Sequence, residues 1–278
     1  MEEKVVSLGG GIEVPVHYHS GPSPDAPALV LVHGLGVTAY LNWSRCFDAL
    51  GETFRLVAFD LRGHGRGLRT YHFTLEDCAD DVVKVADAVG FDRFFVAGYS
   101  MGGPIAKLCW RRHPHRVAGI VLAATASEFG FNLGSRRART LMTMVRSAVL
   151  LNPRWVKKRV SAWAVMRLGH VLPPLQITSE LSGHRLGTVL GAAKSLAGYS
   201  ANDWLDKIDV PTAIVVTSDD DRVSPASQRA LASIPGAVIF ETPGTHTACI
   251  TNPETFVPAM LEACLDVWRR SAQQAISA

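Results

Sequence analysis

Gly98-Tyr99-Ser100-Met101-Gly102-Gly103 sets a serine between glycines two positions away on either side, after the apolar run Phe94–Ala97 and before a helical stretch, Met101–His113. A serine hydroxyl becomes a nucleophile only when a base takes its proton and a third group orients the base. On a sharp strand-to-helix turn the glycines let strand and helix pass closely. The helix N-terminus then offers a free backbone N–H and positive potential beside the reacting oxygen. G-x-S-x-G in that context is a nucleophile elbow, with Ser100 as nucleophile.

The base must come from ten histidines. In the chain order that accompanies such an elbow, the acid follows the serine and the base follows the acid. His170, His184 and His246 lie well downstream, and the first two fall in a stretch that interrupts the strand rhythm. His246, in Pro243-Gly244-Thr245-His246, follows a strand and precedes the last helix, a position on the carboxyl edge of a sheet. Asp219, Asp220 and Asp221 follow the strand ending at Val216. A run of charge is ordinarily a solvated turn, yet one of the three must be the acid if His246 is the base.

The elements that must position these groups alternate. Val5–Leu8 and Ile12–Tyr18, joined by Gly9-Gly10-Gly11, predict a β-hairpin. Ala28–Val32, Arg55–Phe59, Phe94–Ala97 and Val117–Ala123 are continuous apolar runs suited to a sheet buried on both faces. Leu75–Val89 has apolar residues at helical spacing. Repeated strand and helix imply an α/β fold with a mostly parallel sheet. From Ala126 to Asp203 the pattern is helical, punctuated by Gly134, Pro153, Pro173-Pro174 and Gly183. Strands resume at Thr212–Val216 and Ala237–Glu241, separated by a helix over Ser224–Ser233. A last helix is expected over Pro253–Arg270, with the tail SAQQAISA frayed. The expected organisation is a core of residues 1–125 and 204–278, with 126–203 inserted as a helical cap.

With these motifs in place, the chain resembles the α/β-hydrolases of the small esterase, lactonase and perhydrolase type over nearly its whole length outside the insertion. His33-Gly34-Leu35-Gly36 is similar to the family's oxyanion motif, which implies that the N–H groups of Leu35 and Met101 bind the developing oxyanion. Ser218-x-x-Asp221-x-x-x-Pro225 resembles the family's G-x-x-D-x-x-x-P stretch, which selects Asp221 as the acid, with Asp219 as the alternative. Asp60-Leu61-Arg62-Gly63-His64-Gly65-Arg66 resembles the D-x-R-G-H-G loop, read as structural, with His64 ordering the loop and His33 bracing the oxyanion turn. Ser218 and Thr245 depart from the family's usual glycines, and Thr245 stands where it could crowd the substrate entrance. A serine at the elbow argues against the haloalkane dehalogenase and epoxide hydrolase relatives, which carry aspartate there. The family places its lid where the insertion falls.

The composition supports this reading. The chain has 278 residues, 47% hydrophobic and 19% charged, with a net charge of +3. That is ordinary for a globular protein and too diffuse for a nucleic-acid binder. Five cysteines without C-x-x-C spacing suit a reducing compartment rather than a disulfide framework or zinc site. With neither a signal peptide nor an apolar run long enough for a span, a cytoplasmic protein is expected. The sequon Asn42-Trp43-Ser44 is read as accidental, and His17-Tyr18-His19 as a surface hairpin rather than a metal site. Residues 126–203 hold 11 Lys+Arg against 3 Asp+Glu. Their basic clusters (Arg136, Arg137, Arg139; Arg154, Lys157, Lys158, Arg159) suit a solvated face or weak contact with an anionic membrane. Leu141, Met142, Val145, Trp163, Met166 and Leu172 are candidates for an acyl pocket, although most such stripes hold a cap to its core.

The function expected is hydrolysis of a carboxylic ester of a small or medium apolar substrate through an acyl-enzyme, without cofactor or metal, by a monomer or homodimer. Activity should fall in acid as the base takes up a proton. The same triad could act on a thioester, lactone or C–C bond or in perhydrolysis; a ligand receptor and a membrane-docking protein are rivals from other classes.

Overall fold

The computed structural model describes residues 1–70, 72–129 and 183–277. Eight strands form one sheet: β1 (Glu2–Ser7), β2 (Glu13–His19), β3 (Ala28–Val32), β4 (Arg55–Phe59), β5 (Phe94–Tyr99), β6 (Val117–Ala123), β7 (Thr212–Thr217) and β8 (Val238–Thr242). Their order is β1-β2-β4-β3-β5-β6-β7-β8. β2 pairs antiparallel with β1 and β4, and every later pairing is parallel.

The helices are α1 (Ala39–Trp43), α2 (Phe47–Gly51), α3 (Leu75–Ala88), α4 (Gly102–Arg112), α5 (Leu186–Ala197), α6 (Pro225–Arg229), α7 (Ala248–Thr251) and α8 (Pro253–Ser277). Because successive side chains of a strand face opposite ways, each apolar strand feeds two cores. Val30 and Val32 join Val82 of α3 and Ile105 of α4 on one side. Leu29 and Leu31 join Trp43 of α1 and Met260 of α8 on the other. The result is a three-layer α/β/α sandwich.

Strand order reverses at β3, which lies between β4 and β5. The loops leaving β3 and β5 therefore diverge at a switch point, where open α/β sheets place their ligand crevices.

The expected strands all form, with small differences at the ends. Ser224–Ser233 divides into α6 and a 3-10 turn over Ala230–Ser233. The expected frayed tail is instead helical to Ser277, since the Ala- and Gln-containing stretch favours continued helix. The short helices α1, α2 and α7 have too few turns to show a period. His17 and His19 stand on the second strand of the expected hairpin at the sheet's edge, half-buried rather than exposed: His17 packs on Tyr40 and Phe47, and the His19 ring lies against Gly51.

The insertion joins β6 to β7. Its described ends meet in a bridge between Glu128 and Ser200, with Ala201 N–H donating to Ser127 O at 2.9 Å. α5 is docked on the core through buried Ala192 and Leu196, and Arg185 N–H donates to Gly63 O. The basic clusters, the candidate pocket residues Leu141, Met142, Val145, Trp163, Met166 and Leu172, and His170 lie outside the described residues. Among the described residues, no helix is long and apolar enough to cross a membrane.

Candidate active site

Ser100 opens the turn from β5 into α4 with φ at 52°, a left-handed conformation costly for a residue with a side chain. The surroundings enforce it. Ser100 N–H donates to Ala123 O at 2.9 Å, and Thr125 Oγ1 donates to Ser100 O at 2.8 Å. A Cβ at Gly98 would overlap the Gly102 carbonyl, and one at Gly102 would overlap the Val32 carbonyl. The glycines are thus required by close approach of three backbones, and the serine is 8% exposed.

His246 stands in the loop between β8 and α7. Its Nε2 lies 2.9 Å from Ser100 Oγ and its Nδ1 lies 2.8 Å from Asp220 Oδ2. An ionised carboxylate only accepts, so Nδ1 carries the proton and Nε2 is free to receive one from the serine. Tyr99 Oη donates to the His246 carbonyl at 2.9 Å, tying the loop to the residue before Ser100.

The aspartate that meets His246 is Asp220; the expectation of Asp221 is corrected. The three consecutive carboxylates have three different environments. Asp219 is exposed and ties the two loops, accepting from Gly244 N–H at 3.1 Å. Asp220 is buried: its Oδ1 accepts from the N–H groups of Arg222 (2.8 Å) and Val223 (2.9 Å). Its Oδ2 accepts from Thr217 Oγ1 and Gln228 Nε2 as well as His246. Asp221 is exposed, with no hydrogen bond or ion pair among the described residues. The turn closes on the side chain of Asp220 through bonds to N–H groups two and three residues on, as Asx turns do, and this orients Asp220 inward. Counting back from Pro225 misses it by one residue. Burial would raise the Asp220 carboxyl, but the His246 bond and charge and the Val223 and Arg222 N–H groups outweigh it and hold the pKa below the ordinary value.

The β3 loop lies against Ser100: a Cβ at Gly34 would come 3.3 Å from Ser100 Cβ. His33 is fully buried. Its Nε2 accepts from Leu61 N–H at 2.8 Å, so its Nδ1–H donates to Gly34 O at 2.7 Å. Burial, acting against the Asp60 charge and the Gly34 carbonyl, lowers the His33 pKa and favours the neutral ring this pattern requires. In a trans peptide the N–H lies opposite the C=O, so holding Gly34 O also sets the direction of Leu35 N–H. Among the described residues neither Leu35 N–H nor Met101 N–H is donated to another group.

The D-x-R-G-H-G loop stands behind this one. Asp60 accepts from Ala39 and Arg66 N–H groups, and Arg62 pairs with Asp81 and Asp77. The buried His64 ring lies edge-on to His33 and to His184, at the end of the insertion. Ser218 Oγ donates to Asp219, and exposed Thr245 lies 3.2 Å from Thr247 Oγ1. Among the described residues no cluster of three or more His, Cys, Asp or Glu could hold a metal. Sequence reading missed Asp220 as the histidine's partner and the Tyr99 clamp; the x position of G-x-S-x-G gave no signal for the second.

A doubly wound sheet bearing a serine turn at its switch point defines a hydrolase-type α/β protein. The alpha/beta hydrolase family model matches residues 29–259, and the chain belongs to that family. A relative named as the carbamate hydrolase RutD, from Caulobacter sp. (strain K31), is 27% identical over 252 residues, covering 87% of this chain and 92% of that protein. One named as a non-heme haloperoxidase, from Mycobacterium phage D29, is 30% identical over 281 residues, covering 97% and 98%. The bromoperoxidase from Bacillus anthracis superposes with a TM-score of 0.78 at 18% identity, over 95% of this chain and 100% of that one, a likeness of fold.

Proposed function

We propose that the protein is a serine hydrolase that cleaves a carboxylic ester of a small or medium apolar molecule through an acyl-enzyme on Ser100. The observation that carries this reading is the unbroken chain Ser100 Oγ–His246–Asp220, with contacts of 2.9 and 2.8 Å. His246 takes the serine proton as Oγ attacks the carbonyl carbon. The resulting oxyanion accepts from Leu35 and Met101 N–H, the second at the start of α4, where the helix dipole adds positive potential. His246 then gives its proton to the leaving alcohol. Water, deprotonated by His246, releases the acid, while Asp220 holds the imidazole tautomer and steadies its cation.

A second reading keeps the acyl-enzyme and changes the bond or the acceptor: a thioester, lactone or C–C bond, or peroxide in place of water. The relatives named as a carbamate hydrolase and a haloperoxidase favour including aryl carbamates and peroxide in the substrate panel. The test is burst kinetics on p-nitrophenyl esters from acetate to palmitate, with Ser100→Ala alongside. A stoichiometric burst that vanishes in the variant is expected. Turnover that survives in the variant would contradict the assignment of Ser100.

A further inference from the structure

Asn42 belongs to an N-x-S sequon, yet it is 2% exposed in α1 and its side chain joins two loops of the site. Its Oδ1 accepts from Gly34 N–H at 2.9 Å, and its Nδ2 donates to Cys249 Sγ at 3.2 Å. A folded chain cannot present such an amide for glycosylation. The two bonds tie the loop after β3 to α7. Gly34 precedes Leu35, and Cys249 stands three residues after His246 in α7.

The peptide on each side of Gly34 is held by a different side chain. His33 Nδ1–H holds its carbonyl, and Asn42 Oδ1 holds its N–H. With only the carbonyl held, the loop can still rotate about the bonds flanking Gly34, which has no side chain to restrict it. With both held, the direction of Leu35 N–H is fixed. The other end of the Asn42 amide meets α7, and Tyr99 Oη holds the start of the same segment through the His246 carbonyl. Oxyanion loop, elbow and base loop are therefore cross-linked by three polar contacts, the two of Asn42 buried and that of Tyr99 part-buried. In a dry interior each such contact is directional and costly to leave unmade.

We infer that Asn42 is a positioning residue that sets the oxyanion loop in register with the His246 loop through Gly34 and Cys249. This rests on the reading of Ser100 as nucleophile given above. Asn42 touches no reacting atom; it acts through the N–H of Leu35 and the placement of His246.

The test compares Asn42→Ala, Cys249→Ala, Cys249→Ser and the double alanine variant with wild type. Readouts are kcat and KM on the best p-nitrophenyl ester, Kd for an arylboronic acid that adds to Ser100 as a tetrahedral adduct, and Tm. For Asn42→Ala, kcat should fall about 10- to 100-fold, the effect of a small misplacement, with boronate affinity falling in step. KM should stay within about threefold, because ground-state binding is untouched. Cys249→Ala should lose less, and Cys249→Ser, whose oxygen can accept the same bond, should recover part of that loss. The double variant should lose less than the product of the two single losses, since the Asn42–Cys249 bond is cut only once, although Cys249 also bonds Tyr99.

Asn42→Ala with kcat and boronate affinity within about twofold of wild type would overturn the proposal, as would multiplicative losses in the double variant. A fall in Tm with catalysis of the folded fraction unchanged would overturn it too. Should Asn42→Ala fail to fold, Cys249→Ala against Cys249→Ser decides the matter, equal activity in the two being the contrary result. Wild type forming neither burst nor boronate adduct would instead overturn the reading of Ser100, and this inference with it.

Discussion

The elbow around Ser100 and the loop carrying Asp220 do comparable work by different means. The elbow is a main-chain construction: Gly98, Gly102 and the β3 carbonyls interpenetrate, leaving Ser100 little choice but its left-handed backbone. The Asp220 loop is a side-chain construction, in which Thr217, Gln228 and two backbone N–H groups converge on one carboxylate. A site held by backbone packing tolerates no added atom. One held by polar side chains loses function by degrees and responds to pH.

The largest effect expected follows from the first half of that contrast. Gly98→Ala drives a Cβ into the Gly102 carbonyl, and overpacking against rigid backbone should cost about 3 kcal/mol or more. Thermal denaturation should show a large fall in Tm, together with loss of Ser100 labelling by a fluorophosphonate; a wild-type Tm would show that the turn can relax.

In the other loop, Gln228→Leu removes a donor to Asp220 and leaves Thr217 N–H and the Val223 carbonyl without their partner. About 1–3 kcal/mol of stability should be lost, as for unsatisfied buried groups. The sign with pH is defined. A carboxyl whose folded pKa is depressed adds stability above its unfolded value of ~3.9 and loses it as pH falls through the folded value. With one donor gone, acid unfolding should begin at higher pH than in wild type. Denaturant melts from pH 6 down to about pH 2 would show this; superimposable acid limbs would contradict it.

The same contrast explains what the sequence made legible. Elbow glycines are demanded by backbone contact, so they are visible as residue types at fixed spacing, and the strand-to-helix turn that carries Ser100 and Met101 was legible without coordinates. His246 was legible because it stands alone between a strand and the last helix. Asp220 was not: three identical residues carry no information about which one the turn points inward, and the choice rests on bonds to Arg222 and Val223. Asn42 was read only as an accidental sequon, because its partners Gly34 and Cys249 lie far away in sequence. The sheet was legible strand by strand from its apolar runs. The short helices and the full extent of α8 were not, since a single turn has no period and a polar end has no buried face.

A smaller effect is expected away from both loops. Lys107 of α4 is fully buried, its Nζ donating to Ala126 O at 2.7 Å where the insertion begins, and burial pushes its pKa down to about 7. Between about pH 7 and the ordinary lysine value of ~10.4, the unfolded chain holds a proton that the folded chain lacks. This residue therefore makes folding stability rise with pH over that range. Lys107→Met should flatten the rise and gain about 1–2 kcal/mol at neutral pH, offset in part by the lost bond. Urea melts of the two proteins at pH 7 and about pH 10 measure it; parallel pH slopes would show that Lys107 stays charged.

Of the three consecutive carboxylates, Asp220 alone meets His246. The direct measurement is kcat for Asp220→Asn beside Asp221→Asn on the same ester, with Tm as control. Asp220→Asn should lose about 10⁴-fold, as expected when the base is left in the wrong tautomer, while exposed Asp221→Asn should remain within about twofold of wild type. The reverse order of losses in two folded proteins would place the acid at Asp221 and contradict the arrangement described.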